Sequence, residues 1–327
     1  MIEELAILDV AHGNTSVLVS SNQTAILDVA PRATVLEAID FYKLSTIDYV
    51  FISHSDFDHI GGLINLLSDK NLVIKNLLIN ADASKNTKAW EALGIAVNDA
   101  FTRYRLVVNS LNASQSPITV GSAQINVMYP FPGDSILGAG TVLTGGRRVT
   151  SNAASVVMML NHSGHNIALF AGDMEQPTLD RMIETQCDLQ ADMLVFPHHG
   201  GLVGGDTKSF ASSLAHQVQP KITVFSIGRN GHANPRPEIV EAVRAVVPHT
   251  SIMCTQLSKN CYPQTPSISL DWIKQLSDIP GLGVETSSSC SGSIKVELNG
   301  SNSIFHLLSE HKDFVSNNIP NALCNKN

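Results

Sequence analysis

The chain lacks a long hydrophobic run, although 43% of its 327 residues are apolar. A membrane-spanning helix needs ~20 consecutive apolar residues, whereas the longest apolar runs here, such as VVMML at 156–160, have the length of a strand. Charged residues are also few, at 15%. These features predict a globular protein with a large core and no membrane partner. The first ten residues carry two glutamates where a secretory signal carries basic residues, so we expect a cytoplasmic protein.

Cysteine and basic charge are both sparse. The five cysteines are widely spaced and never form a C-x-x-C pair, which argues against a disulfide framework and against a thiolate zinc site. The net charge of -8 and the single basic doublet, Arg147 with Arg148, leave no obvious basic face of the kind that follows long nucleic acid. Anionic substrates stay compatible with the sequence, because a bound metal ion reverses the local charge.

What the sequence does contain is an alternation of strand and helix patterns. Apolar alternation predicts strands in ELAILDV, TAILDVA and TIDYVFIS, and later in NIALFAGD, DMLVFP and KITVFSIG, with helical spacing between several of them. The segment GSIKVELNGSNSIFHLL has the pattern of a hairpin with its turn at NGSN. This alternation is typical of a layered α/β protein. We expect one domain over residues 1–315 and a flexible tail over residues 316–327.

The stretch VFISHSDFDHIGG places four polar side chains directly after a buried strand: His54, Asp56, Asp58 and His59. In a continued strand, positions 54, 56 and 58 share a face. Two carboxylates and two imidazoles at close range repel one another or stay unsatisfied without a cation. Imidazole and carboxylate ligands suit zinc, manganese or iron. The alternative is a surface cap, in which Asp58 caps the following helix and the histidines face solvent.

Further ionisable residues stand at the ends of later predicted strands. Asp173 ends NIALFAGD, His198 and His199 follow DMLVFP, and His232 lies just past KITVFSIG. Ionisable residues at the carboxyl ends of successive strands are expected when loops at one edge of a sheet build a site. Each residue has an ordinary explanation by itself, as a turn aspartate or a structural histidine. Together they indicate one site.

At these residues the sequence resembles a known family. The run from His54 to His59 is similar to the H-x-[HD]-x-D-H signature of the metallo-β-lactamase-fold hydrolases, followed in the same order by AGD and PHHG. A closer resemblance is to the metallo-β-lactamase domain of the competence protein ComEC. Its motifs LDVGQG, H-x-D-x-DHIGG, N-x-x-S, GD, HHGS and GHPHPEV correspond here to LDVAHG, HSDFDHIGG, NAAS, AGD, HHGG and GHANPRPEI. The resemblance spans roughly residues 5 to 300 and implies a four-layer αββα sandwich.

The resemblance also implies a metal centre with one or two divalent ions, zinc or manganese. The ligands that it implies are His54, Asp56, Asp58, His59, Asp173 and His199, with Asp173 as the bridge. Where relatives place another metal-binding histidine, this chain has Asn152 and Ser155. The ion beside His54 and Asp56 would therefore have a weaker, oxygen-rich ligand set.

Hydrolysis by a metal-bound hydroxide is the reaction that such a centre implies, because a divalent ion lowers the pKa of bound water to ~7. Asp58 or Asp173 would orient the hydroxide, and His232 or His198 would donate a proton to the leaving oxygen. The predicted substrate contacts are Asn152, Ser155 and His198. The favoured substrate is a phosphodiester in nucleic acid or a small nucleotide, and the acidic charge favours a short one. A lactone or ester hydrolase is the alternative, and a non-catalytic, metal-stabilised binding module is a third.

Overall fold

The computed structural model describes residues 2–144, 146, 148–229, 232–264, 278–299 and 303–325. The first of its two seven-stranded sheets contains β1 (Glu3–Ile7), β2 (Ser16–Ser20), β3 (Gln23–Leu27), β4 (Thr46–Phe51), β5 (Val73–Leu78), β6 (Val107–Asn109) and β14 (Ile294–Glu297). Its strand order is β14-β1-β2-β3-β4-β5-β6. Strands β3 to β6 are parallel, whereas β14, β1, β2 and β3 pair antiparallel.

The second sheet contains β7 (Ile118–Val120), β8 (Ala123–Tyr129), β9 (Val157–His162), β10 (His165–Phe170), β11 (Met193–Val195), β12 (Ile222–Phe225) and β13 (Ser251–Cys254). Its order is β13-β12-β11-β10-β9-β8-β7. Strands β10 to β13 are parallel, and β7 to β10 pair antiparallel. All six strand segments predicted above form strands, which correspond to β1, β3, β4, β10, β11 and β12.

The helices of the described residues are α1 (Thr34–Phe41), α2 (Phe57–Ile60), α3 (Leu63–Ser68), α4 (Lys88–Tyr104), α5 (Pro132–Leu137), α6 (Gln176–Glu184), α7 (Thr207–Val218), α8 (Pro237–Val246), α9 (Leu282–Glu285) and α10 (Ser303–Asn318). Short 3₁₀ turns cover Pro197–Gly200 and Leu323–Asn325. Local chemistry sets several of the starts. The Asp206 carboxylate accepts hydrogen bonds from two backbone N–H groups at the start of α7, and Pro237 is the first residue of α8.

Three apolar layers hold the two sheets and the helices together. Strand β1 shows how the sequence builds two of them, because side chains alternate across a strand. Leu5 and Ile7 pack between the sheets, while Ala6 lies on the opposite face with helices α1, α3 and α4. The third layer packs the second sheet against α6, α7 and α8, with Phe196 and Phe210 at its centre. The four-layer αββα sandwich is confirmed.

The carboxyl-terminal region differs from the sequence-based expectation. SIFHLL lies in helix α10 rather than in the second strand of a hairpin, and Gly300 and Asn302 of the expected turn fall outside the described residues. A flexible tail was predicted over residues 316–327, and among its described residues Ile319 and Leu323 are 1% and 6% exposed. Both side chains pack in the apolar layer that contains α8.

No helix in the described part of the chain is both long enough and apolar enough to cross a membrane.

Candidate metal centre

The candidate site lies where strands of both sheets end. Carboxyl ends of parallel strands meet at one edge of a sheet, and β1, β3 and β4 point the same way in the first sheet, as β10, β11 and β12 do in the second. The residues that follow these six strands and meet there are His12, Asp28, His54, Asp173, His199 and Ser226.

The H-x-D-x-D-H motif forms a tight turn between β4 and α2. Asp56 occupies the N-cap position of α2, and its backbone carbonyl accepts a hydrogen bond from the N–H of His59 at 2.9 Å. The turn folds the His59 ring back to 4.1 Å from the ring of His54, measured between centroids. The Asp58 carboxylate lies 3.2 Å from Nε2 of His199. Asp58 is therefore not the helix cap that the alternative interpretation required.

Three buried side chains form what we call the inner group: His54, His59 and Asp173. Nε2 of His59 lies 3.5 Å from Oδ1 of Asp173, and Nε2 of His54 lies 3.8 Å from Oδ2 of the same carboxylate. One ligand atom from each residue lies within 4.8 Å of the other two. The inner group therefore presents two imidazole nitrogens and a carboxylate to a common point.

A second set of side chains, which we call the outer group, consists of His12, Asp58 and His199. Oδ2 of Asp58 lies 3.2 Å from Nε2 of His199 and 3.5 Å from Nε2 of His12. The side chains of His12 and Asp58 are 27% and 25% exposed, whereas His199 is buried. The outer group is thus the side of the site that solvent reaches.

The inner group has the polar atoms that a cation requires. Nε2 of His54 and Nε2 of His59 are buried without any hydrogen-bond partner, although leaving a buried polar atom unpaired costs about 1–3 kcal/mol. Their Nδ1 atoms are engaged, with Asp28 at 2.7 Å from His59 and Ser53 Oγ at 3.1 Å from His54. Both unpaired nitrogens face Asp173, so the residues fit a divalent ion.

The ionisable side chains of the inner group have very different pKa values. Burial, followed by the neighbouring His59, lowers the pKa of His54 to about 4. Burial also acts to lower the pKa of His59, but the carboxylates of Asp28 and Asp173 outweigh it and raise that pKa well above its usual value. Burial acts to raise the pKa of Asp173, and the surrounding histidines, His59 first, hold it well below its usual value. A bound cation would therefore take the place of the proton that Asp28 and Asp173 stabilise on His59.

Asp28 and Ser53 support the inner group and were missed by the sequence analysis. Asp28 Oδ1 accepts a hydrogen bond from the Ser53 N–H at 2.7 Å, and Oδ2 accepts from Ser53 Oγ at 2.8 Å and contacts His59 Nδ1 at 2.7 Å. A carboxylate behind a ligand histidine fixes its tautomer and ring orientation. The available signal was positional, because Asp28 follows β3 just as Asp173 follows β10.

His198 and His199 both face the site, although adjacent residues of a regular strand point in opposite directions. Their φ values of 51° and 54° put both residues in the left-handed region, so the chain has left the strand geometry. His199 Nδ1 lies 2.9 Å from the carbonyl oxygen of Ser226, which directs Nε2 towards Asp58. The N–H of His198 donates to Asp173 at 3.0 Å.

The other predicted site residues occupy different surroundings. Ser155 is fully buried; its Oγ accepts a hydrogen bond from the Asp173 N–H at 3.0 Å and lies 3.4 Å from His54 Nδ1, which does not fit a substrate contact. Asn152 lies in the preceding turn, where its carbonyl accepts from the Ser155 N–H at 3.0 Å. His232 is exposed and stacks on His12, with ring centroids 4.7 Å apart.

The comparison with protein families agrees with this fold. Residues 8–225 match the model of the metallo-beta-lactamase superfamily. The chain belongs to this superfamily. The metallo-beta-lactamase membership supports a hydrolase that binds divalent metal. The narrower resemblance to ComEC rests on the sequence motifs alone. No curated protein sequence matches the chain.

Several solved structures resemble the chain at low identity. The metallo-beta-lactamase fold protein YhfI from Bacillus subtilis is 12% identical, with a TM-score of 0.49 over 77% of this chain and 95% of that one. A diphosphatase from the PhnP family is 14% identical, with a TM-score of 0.43 over 74% and 81%. The short form of human tRNase Z is 13% identical, with a TM-score of 0.39 over 67% and 91%.

Proposed function

We propose that this chain is a metal-dependent phosphodiesterase that acts on nucleic acid or a small nucleotide with zinc or manganese. The observation that carries the proposal is the adjacency of the inner and outer groups, whose rings His59 and His199 lie 5.5 Å apart. Two neighbouring sets of ligands suit an in-line displacement at phosphorus, because cations held there would supply positive charge to stabilise the attacking and the leaving oxygen. The six short motifs that resemble those of ComEC also favour a phosphodiester substrate.

The residues of the site would have different roles in hydrolysis. Divalent ions in the two groups would supply Lewis acidity and lower the pKa of water, which makes a nucleophile at neutral pH. The carboxylates of Asp58 and Asp173 would orient the attacking water by accepting its hydrogen bonds. His232 stands at the exposed rim, stacked on His12, where it would pass a proton to the leaving oxygen.

Exposure and charge favour a short substrate. His59 is fully buried, whereas Asp58 and His12 are about one-quarter exposed, so a substrate approaches from the outer group. The net charge of -8 opposes the binding of a long polyanion along the surface. A single scissile phosphate near a chain end, or a small cyclic nucleotide, meets both conditions.

A lactone or ester hydrolase is the second candidate, and two exposed apolar side chains favour it. Phe57 lies within the H-x-D-x-D-H motif and is 63% exposed, and Leu202 follows HHGG and is 65% exposed. Apolar surface next to polar catalytic motifs suits an acyl chain. The same cation chemistry activates water against a carbonyl carbon.

Parallel assays separate these functions. Single-stranded DNA, a cyclic dinucleotide and a homoserine lactone are each incubated with the chain and manganese or zinc, with Asp58→Ala as the control. We expect cleavage of a phosphodiester substrate, none of the lactone, and loss of activity in Asp58→Ala. Lactone cleavage alone would refute the proposal in favour of the acyl hydrolase. Metal retention with no cleavage of any substrate would favour the binding module.

A further inference from the structure

The loop that carries His12 packs closely against the H-x-D-x-D-H motif. The Asp9 carboxylate is buried and accepts a hydrogen bond from the Ala11 N–H at 3.2 Å, which shapes the turn after β1. Gly13 has a φ of +138°, and a Cβ there would lie 2.5 Å from the carbonyl oxygen of Asp58. Only glycine permits this close approach. The backbone therefore fixes His12 beside Asp58.

In the outer group, the two distances from Asp58 to the histidines match the spacing of donor atoms around one ion, and all three donor atoms lie within 4.8 Å of one another. Metal–ligand bonds of ~2.0–2.1 Å at tetrahedral angles place neighbouring donor atoms about 3.3–3.4 Å apart. In the outer group, Asp58 Oδ2 is 3.2 Å from His199 Nε2 and 3.5 Å from His12 Nε2. Two imidazole nitrogens and one carboxylate oxygen are a common set of three protein ligands for a metal with an open position.

Asp56, in contrast, already has a cationic partner. Nζ of Lys85 forms an ion pair with Oδ1 of Asp56, and the Lys85 side chain is only 24% exposed. Asp82 shapes the loop that carries Lys85: its Oδ1 accepts a hydrogen bond from the Ser84 N–H at 2.8 Å, and its Oδ2 accepts one from Ser151 Oγ at 2.6 Å. Lys85 thus supplies positive charge beside Oδ1 of Asp56, while Oδ2 of Asp56 lies 3.8 Å from His54 Nε2 but does not belong to the inner group.

We propose that His12 is a metal ligand, which completes an ion site with Asp58 and His199, and that Asp56 is the partner of Lys85 instead of a ligand. His12 then gives the outer ion its third protein ligand, from the segment that follows β1. The two ions are held by the inner and outer groups, and neither set includes Asp56. This inference rests on the proposed metal-dependent function.

Metal content distinguishes the roles of His12 and Asp56. Wild type, His12→Ala and Asp56→Asn are stripped with a chelator, dialysed against Mn²⁺ or Zn²⁺, and analysed for metal per chain by plasma mass spectrometry. We expect two ions in wild type and in Asp56→Asn, and one in His12→Ala. Loading with Co²⁺ gives a second readout, because His12→Ala should lose the visible absorption of one of two ions.

Two control variants and a measurement of the fold distinguish the loss of a ligand from the loss of folded structure. His12→Gln retains a polar side chain of similar length and should also hold one ion, and circular dichroism reports the fold of each variant. His165→Ala removes an exposed histidine at the start of β10 and should hold two ions.

Unchanged metal content in His12→Ala, or loss of an ion in Asp56→Asn, would overturn the inference. A wild-type chain that retains no ion would overturn both this inference and the proposed function. Loss of one ion in His12→Ala, together with no phosphodiester cleavage by wild type, would refute the proposed function alone.

Discussion

Replacing Asp28 by Asn should weaken metal binding without any change to a metal ligand. Asp28 Oδ2 lies 2.7 Å from His59 Nδ1, and the same carboxylate accepts two hydrogen bonds from Ser53. An asparagine has one carbonyl oxygen for these donors, so its NH₂ group must face either His59 or Ser53. His59 then loses the carboxylate that orients its ring and increases its basicity.

Two estimates of the size of this effect agree. A hydrogen bond to a charged group contributes about 1.5–3 kcal/mol. Loss of a carboxylate behind a ligand typically weakens metal affinity by about 10–100-fold, which corresponds to about 1.4–2.7 kcal/mol. We therefore expect the dissociation constant for Zn²⁺ or Mn²⁺ to rise by about one to two orders of magnitude. Competition with a chromogenic chelator measures it directly.

Asp48→Asn is the matched control for Asp28→Asn. Asp48 is a buried carboxylate of β4 that accepts a hydrogen bond from the Thr24 N–H at 2.9 Å and pairs with Lys75 at 2.7 Å, without any contact to a histidine. Asp48→Asn should lower stability towards denaturant and leave metal affinity unchanged. Metal affinity within twofold of wild type in Asp28→Asn, or an equal loss in both variants, would refute the reasoning.

Three further predictions concern the site, the thiols and the core. His199→Ala should abolish hydrolysis with the fold intact, whereas His198→Ala should lower the initial rate of hydrolysis less. An equal loss of rate in both variants would contradict these roles. Cys254 and Cys290 should react with a thiol reagent at pH 8 only on unfolding, because burial raises the pKa of both thiols well above the usual value; fast labelling would contradict this. Phe210→Ala should cost about 3–5 kcal/mol in denaturant unfolding, because the ring is fully buried, and a loss below ~1 kcal/mol would contradict it.

Much of the fold was readable because its signals are local. The alternation of apolar residues in TIDYVFIS or KITVFSIG depends only on neighbours in sequence, and these segments formed β4 and β12. His54 to His59 span six positions, so their convergence was predictable from one turn. The hairpin expected at GSIKVELNGSNSIFHLL failed because a local turn signal was given more weight than the helical spacing of the residues beyond it.

Partners supplied by other strands could not be inferred from the sequence. Asp28, His12 and Lys85 reach the site from three other segments, and their proximity depends on strand order and on the direction in which each strand runs. The sequence alone likewise gave no reason to place Ser155 behind His54.

The cysteines also show the difference between what the sequence indicates and what the tertiary structure adds. The spacing of the cysteines along the sequence indicated only separate reduced thiols. In the structure, one cavity beneath α8 and α10 is lined by Cys254, Cys261, Cys290 and Cys324. The sequence determined which segments are apolar strands and which polar side chains follow them, because those properties are local. Only the tertiary structure decided which side chains meet, because contacts between distant segments are set by the packing of two sheets, a property of the whole chain.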